Sequence, residues 1–212
     1  MGEPIRFYLD FASPYAWIAL PGIERLAAEH GRELDWRPVL IWAVLKAHGI
    51  PPPMEVPAKR GYFEIDMARS AAFHGVPYRH PSRLPLSAHL ATRLYYSIAE
   101  HDLEQARSFG REVFAAFFTR DESIADQTVV ARLAASHGLT ADEAEEAMNG
   151  PLGRQRLTAT VDAAIADGVC GSPWFVVDGE PFFGADRLPQ IAWRLAASAM
   201  EPNRPATNRS AL

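Results

Sequence analysis

The sequence is poor in sulfur nucleophiles: among its 212 residues there is one cysteine, Cys170. That excludes an internal disulfide, a CxxC redox pair and any multi-cysteine metal site. Seven histidines are present, but none stands in an HxxxH or HExxH pair, so no histidine metal centre is expected. There is neither a Walker loop nor a GxGxxG after a strand, which removes support for nucleotide binding. Positive charge is the scarcer sign, with 21 Lys and Arg against 26 Asp and Glu and a net charge of -5. A phosphate-binding face would push that balance basic, so no nucleic-acid partner is expected. No apolar run approaches the roughly 20 residues of a membrane-spanning helix, so no membrane partner is expected either. The chain enters a strand at once, with Glu3 and Arg6 beside it, unlike a secretory leader, and a cytoplasmic location is the expectation.

What the chain does have is an ordinary globular composition, 48% hydrophobic and 22% charged, at a length for one domain with an insertion or two small ones. Its organising stretch is IRFYLDFASPYAW, residues 5–17. Ile5, Phe7, Tyr8, Leu9 and Phe11 make a short aromatic and apolar run, the signature of a strand covered on both faces. Ser13 then occupies a helix N-cap position. Pro14 takes the first helical position, where its missing N–H costs nothing. Trp17, Leu20, Ile23, Leu26 and Ala27 form the apolar stripe of that helix, and Gly31 ends it. A hydroxyl is thereby placed at a helix N-terminus at the carboxyl end of a strand. Ligands bind at such places in open α/β sheets, and the helix dipole favours an anion such as a thiolate.

Leu34 to Val39 alternates as a second strand, with Pro38 suited to an edge. After a short apolar segment from Ile41 to His48, the prolines 51, 52, 53 and 57 predict a stiff, extended loop ending in Lys59, Arg60 and Tyr62. From about Arg60 to Asp167 the pattern is helix after helix. Phe63, Met67 and Ala71 recur at helical spacing up to Gly75. Ser87 is expected to cap a helix carrying Leu90, Leu94 and Ile98, and Phe109, Val113, Phe114, Phe117 and Phe118 give the next a thick aromatic face. Asp126 caps another, Thr140 with Glu143 forms a capping box, and a last helix runs from about Leu152 to Gly168. Then Trp174 to Val177 is a strand, Asp178-Gly179 a two-residue hairpin turn and Pro181 to Phe183 the returning strand. A final helix carries Leu188, Ile191, Trp193, Leu195 and Ala196. From Glu201 the composition predicts a disordered tail.

The order is thus β-α-β, a long helical block, then β-β-α. Two halves of a thioredoxin-like α/β fold separated by a large all-helical insertion read this way, as do other α/β arrangements. The division expected is residues 1–42 with 169–200 for the thioredoxin-like domain, 43–168 for the helical insertion domain and 201–212 for the tail. Ser172-Pro173, just before the third strand, falls where that fold keeps a cis-proline.

Four motifs, FASPYAW, PPPMEVPAKRGYFEID, GSPWFVV and FFGADRL, together resemble the 2-hydroxychromene-2-carboxylate isomerases, members of the DsbA-like thioredoxin superfamily close to kappa-class glutathione transferases. The resemblance runs from Ile5 to Ala199. It implies a glutathione site on the thioredoxin-like half, a substrate pocket closed by the helical block, an isomerase acting on a small aromatic-degradation intermediate, and a homodimer. Ser13 matches the catalytic serine, where redox relatives keep their first cysteine; its hydroxyl would hold the glutathione sulfur as thiolate. Ser172, before Pro173, would offer its backbone to the cysteinyl part of the tripeptide. Asp186 matches the acid near the γ-glutamyl ammonium. Lys59 matches a lysine that pairs with a carboxylate, with Tyr62 beside it. Ile50 stands where the family has an asparagine, and Ser82 or Ser87 where it has a second one.

Each of these residues also has a plainer reading. Ser13 and Asp186 are natural helix N-caps, Lys59 and Arg60 are ordinary solvated charges, Tyr62 is a core or interface aromatic, and Trp42 and the Phe114 to Phe118 cluster are ordinary core aromatics. Ser172-Pro173 can be a structural turn, and Cys170 a small buried apolar residue. Beside the isomerase stand a kappa-like glutathione transferase, a catalytically silent thioredoxin-like binding module, and a thiol-disulfide oxidoreductase that Ser13-Pro14-Tyr15-Ala16 lacks the sulfurs to support.

Overall fold

The computed structural model describes residues 2–200; the tail expected from Glu201 lies outside them. Strand β1 (Ile5–Leu9) is central, and its alternating side chains feed two apolar layers. Phe7 stacks on Phe175 at 5.0 Å within the larger core, while Tyr8 belongs to a smaller cluster with Val39, Val44, Ala164 and Trp174. This explains why the strand is apolar almost without interruption: both of its faces are covered.

Helix α1 (Pro14–Glu29) crosses over and returns the chain as β2 (Leu34–Pro38), parallel to β1 with Phe7 opposite Trp36. Strands β3 (Trp174–Val177) and β4 (Glu180–Phe183) complete a sheet of order β2-β1-β3-β4, in which β3 is antiparallel to both neighbours. Pro38 is on an edge strand, where its missing N–H breaks no inner ladder. The β3–β4 turn has both central residues at positive φ, Asp178 at 49° and Gly179 at 80°. Two-residue hairpins of right-handed twist demand that backbone.

Between β2 and β3 run α2 (Ile41–Ala47), α3 (Pro57–His74), α4 (His89–Ala99), α5 (Leu103–Arg120), α6 (Gln127–Ala135), α7 (Ala141–Asn149) and α8 (Pro151–Ala166). After β4 a 3-10 turn, Ala185–Arg187, leads into α9 (Leu188–Met200). The Asp126 cap and the Thr140–Glu143 capping box form as expected. The aromatic face of α5 is buried: Phe114 meets Phe11, in the loop after β1, at 5.1 Å and Trp17 of α1 at 5.9 Å, while Tyr95 of α4 stacks on Trp36 of β2. One apolar core therefore runs through sheet and helices alike.

Four expectations are corrected. Helix α3 begins at Pro57, so Lys59, Arg60 and Tyr62 lie in its first turns and not in the loop; a proline at the first helical position starts a helix as readily as it breaks one. Ser87 does not cap α4, whose N-cap is Ala88; the Ser87 hydroxyl pairs with His89 Nδ1 at 3.1 Å. Trp42 is 48% exposed, so it is not core. Asp186 lies within the 3-10 turn and caps nothing there, since Gly184 holds the N-cap position.

Candidate active site

Ser13 is fixed by its local sequence. Its backbone is extended, its carbonyl accepts from the Ala16 and Trp17 amides, and its Oγ accepts from Ala16 N at 3.2 Å, which makes it the N-cap of α1. Pro14 has no amide to offer, so the first-turn donor not turned back on Ser13 is the Tyr15 N–H. The residue is 8% exposed.

The chain brings the other end of the sequence to this tip. The Ser172–Pro173 bond is cis, and the Ser13 hydroxyl donates to the Ser172 carbonyl at 2.9 Å, across 159 residues. Ser172 Oγ in turn accepts from the Asp10 amide at 2.9 Å. The Pro173 carbonyl accepts from Gly184 N at 3.0 Å, so the turn bearing Asp186 is joined to the same loop. Gly184 has φ 106°, and a Cβ there would come within 2.5 Å of Asp186 Oδ1, which explains a glycine at that step. The Asp186 side chain is 68% exposed and accepts from Arg187 at 2.7 Å.

Asp10 is the residue missing from the sequence reading. It follows β1 directly and is 3% exposed. One carboxylate oxygen accepts from Ala12 N at 2.8 Å and the other from Ile41 N at 2.8 Å, at the start of α2. Its carbonyl accepts from Ser13 N at 2.8 Å. Burial raises its pKa to about 6, against the lowering effect of the two amides. The legible signal was an acid closing an otherwise aromatic and apolar run, two residues before an amide it can bond, the Asx-turn spacing.

Lys59 and Tyr62 are not in contact with Ser13. Lys59 is exposed and makes no hydrogen bond or ion pair among the described residues. Tyr62 is exposed and donates to Asp66 Oδ1 at 3.2 Å, with Arg69 over its ring. Asp66 also accepts from Tyr15 at 2.7 Å, from Arg69 and from Ser70. Partial burial works against that carboxylate, yet the hydrogen bonds from Arg69, Tyr15, Tyr62 and Ser70 bring it below the ordinary range. Tyr15, two residues past Ser13, is raised by burial and by Asp66. Tyr62 thus reaches the tip of α1 through intermediaries, by Asp66 and by the Phe63 ring, both of which meet Tyr15. Ile50 is exposed in the loop after α2, and Ser82 gives its amide to Asp121 at 2.7 Å. A hollow of about 270 Å³ lined by Glu24, Leu34, Trp36, Arg107 and Arg111 includes none of these residues.

Among the described residues no cluster of three or more His, Cys, Asp or Glu suits a metal ion. None of the described helices is long and apolar enough to cross a membrane. What the tip can do is place one hydroxyl, one free first-turn amide and the main chain of a cis-proline loop around a small anionic or polar group.

The family pattern described as a DSBA-like thioredoxin domain matches residues 4–196. A protein named glutathione S-transferase kappa 2 from Caenorhabditis elegans is 26% identical over 94% of this chain and 95% of its own. One named 2-hydroxychromene-2-carboxylate isomerase from Sphingobium xenophagum is 30% identical over 89% of this chain and 95% of its own. A solved structure of a 2-hydroxychromene-2-carboxylate isomerase superposes with a TM-score of 0.82 at 23% identity, covering 93% of this chain and 97% of that one. With its cis-proline loop closed on a serine-capped helix and its helices inserted between the two halves of the sheet, the chain belongs to the DSBA-like thioredoxin family, together with the proteins named 2-hydroxychromene-2-carboxylate isomerase and kappa-class glutathione transferase.

Proposed function

We propose that this protein is a glutathione-dependent isomerase of the 2-hydroxychromene-2-carboxylate isomerase type, acting on a small aromatic-degradation intermediate in the cytoplasm. The observation that carries the reading is the Ser13 hydroxyl at the tip of α1, 2.9 Å from the carbonyl that precedes Pro173. The donor set fits a thiol tripeptide: a hydroxyl and a free first-turn amide for the sulfur, and the main chain of the cis-proline loop for a peptide backbone. Bound glutathione would supply a thiolate that adds reversibly to a conjugated carbonyl substrate, turning a double bond into a rotatable single bond, and leaves once rotation has occurred.

The chain's own residues do the rest. Ser13 has one proton to donate and gives it to Ser172, so a thiolate competes for that proton, and the positive end of α1 favours the charged form. The Ser172 carbonyl retains a second lone pair for a peptide N–H. Asp186 lies exposed on the turn joined to Pro173 and is available to an ammonium. Lys59, exposed in the first turn of α3, is assigned to a carboxylate, with Tyr62 one turn on. In this reading residues 1–42 and 169–200 form the thioredoxin-like domain and 43–168 the helical insertion domain. The chain works as a homodimer, a role suited to Tyr62, Ile65 and Phe73, which are exposed on one face of α3.

The test is turnover of 2-hydroxychromene-2-carboxylate by the full chain with glutathione, for the wild type and Ser13→Ala. We expect kcat to fall about 100-fold or more in the folded variant, the range for loss of one preorganised donor. Equal turnover would sink the role of Ser13. The second reading, a kappa-like transferase, is supported by the kappa-class relative. Product analysis separates the two: glutathione recovered in full marks the isomerase, a stable adduct the transferase.

A further inference from the structure

We propose that Asp10 is a positioning residue: its carboxylate and main chain hold the Ser13 tip, the start of α2 and the cis-proline loop in one arrangement, so that its ionisation decides whether the site is assembled. The role is read from geometry and rests on the site proposed above. Four hydrogen bonds converge on this residue from three parts of the site. Ala12 N binds Oδ1 inside the loop that carries Ser13, and Ser13 N binds the Asp10 carbonyl. Ile41 N binds Oδ2 from the first turn of α2, whose own N-cap, Leu40, has no side chain able to cap it. The Asp10 amide binds Ser172 Oγ, on the residue whose carbonyl takes the Ser13 proton. Asp10 and Ser13 therefore grip the same serine from its two ends.

A protonated carboxyl cannot serve both amides equally, because one oxygen then carries a hydrogen and becomes a donor facing a donor. Loss of the charge releases either the Ser13 loop or α2. The groups facing Asp10 are few. From its own loop come the Ala12 and Ser13 amides, from α2 the Ile41 amide, and from the cis-proline loop the Ser172 hydroxyl. The charged groups on and after α2, Lys46 and His48, are exposed at its other end. Cys170, near the cis-proline loop, has a thiol that burial pushes up, away from the range where a carboxylate titrates. The shift of Asp10 comes from burial and the two amides, with no contribution from a charged side chain.

The test follows the amide resonances of Ala12, Ser13, Ile41 and Ser172 in the wild-type full chain from pH 4 to 8, then in Asp10→Asn, and measures glutathione affinity of both by calorimetry at pH 5 and 7. We expect the four wild-type amides to move with one common midpoint between pH 5 and 7, and that transition to vanish in Asp10→Asn. Glutathione should bind the wild type at least 5-fold more weakly at pH 5 than at pH 7. The variant should bind about 10-fold more weakly than the wild type at pH 7, with no pH dependence over that interval. If Ser13 and Ser172 stay still while only Ala12 and Ile41 titrate, or if affinity is the same in both proteins, Asp10 is a structural cap and the proposal is overturned. A wild type that binds no glutathione counts against the proposed function, and the amide titration alone then decides on Asp10. The wild-type titration needs no variant, so a misfolded Asp10→Asn does not spare the proposal.

Discussion

At the scale of single residues, Asp10 is a carboxylate kept charged at a cost. Its pKa of about 6 in the fold, against about 3.9 in an unfolded chain, amounts to roughly 3 kcal/mol of destabilisation when ionised. The sign follows from proton binding: between about pH 4 and 6 the folded state holds more protons than the unfolded, so this group's contribution falls as pH rises, with the penalty absent below pH 4 and full above pH 6. Asp10→Asn removes that dependence and resembles the protonated acid, with one of the two amides facing a donor at every pH. Urea unfolding should therefore find the variant close to the wild type at pH 4 and more stable than it at pH 7, by up to about 3 kcal/mol. A stability difference that does not change across that range would contradict the assigned ionisation. Residues of this kind are hard to read from a sequence because their partners are remote: Ile41 is 31 positions from Asp10 and Ser172 is 162. Ser13 was legible because an N-cap and its target amide lie three residues apart. Lys59, Tyr62 and Asp186 were legible as residue types at motif positions, while their distance from Ser13 was not, since it depends on how loops place α3 and the last turn.

Among elements, the helices and strands follow from local chemistry wherever a cap, a glycine or an alternation marks them. The hairpin at Asp178-Gly179, the capping box at Thr140 and the strand Trp174–Val177 are of this kind. The beginnings of α3 and α4 are not, because Pro57 can end a loop or open a helix, and Ser87 has a neighbouring imidazole to bond instead of a backbone amide. Packing between elements overrides propensity at Gly153 in α8. A Cβ there would lie 2.6 Å from the Arg93 carbonyl oxygen of α4 and 3.0 Å from that of Ala147 in α7. Alanine is the better helix former by about 1 kcal/mol, yet Gly153→Ala must push α8 off two backbones. We expect the substitution to lower the melting temperature, with a net loss of about 1–3 kcal/mol in denaturant unfolding. An unchanged or raised melting temperature would show that α8 has room to move.

For the whole molecule, the order β-α-β, helices, β-β-α carried the fold, because a parallel β1–β2 pair needs the α1 crossover and a hairpin can add only beside an existing strand. What the order could not convey is how fully the helices share the core of the sheet. Phe11 and Trp17 near the site meet Phe114 of α5, and Trp36 of β2 meets Tyr95 of α4. Helices α2–α8 therefore have no separate interior to fold around. Calorimetric unfolding of the full chain should show one transition, with equal calorimetric and van't Hoff enthalpies. Two resolved transitions would mean that the helical block melts alone. Phe114→Ala, which empties a fully buried ring site between both parts, should move that single transition down by about 3–5 kcal/mol of stability without splitting it.

The solitary Cys170 has a chemical corollary. A chain without a second thiol cannot form or break a disulfide within itself, so any disulfide that Cys170 makes is with another molecule. In the proposed function the reacting thiol at the mouth of α1 is a diffusible guest's, and the occupancy of Ser13, rather than a redox potential of the chain, sets when the protein is at work.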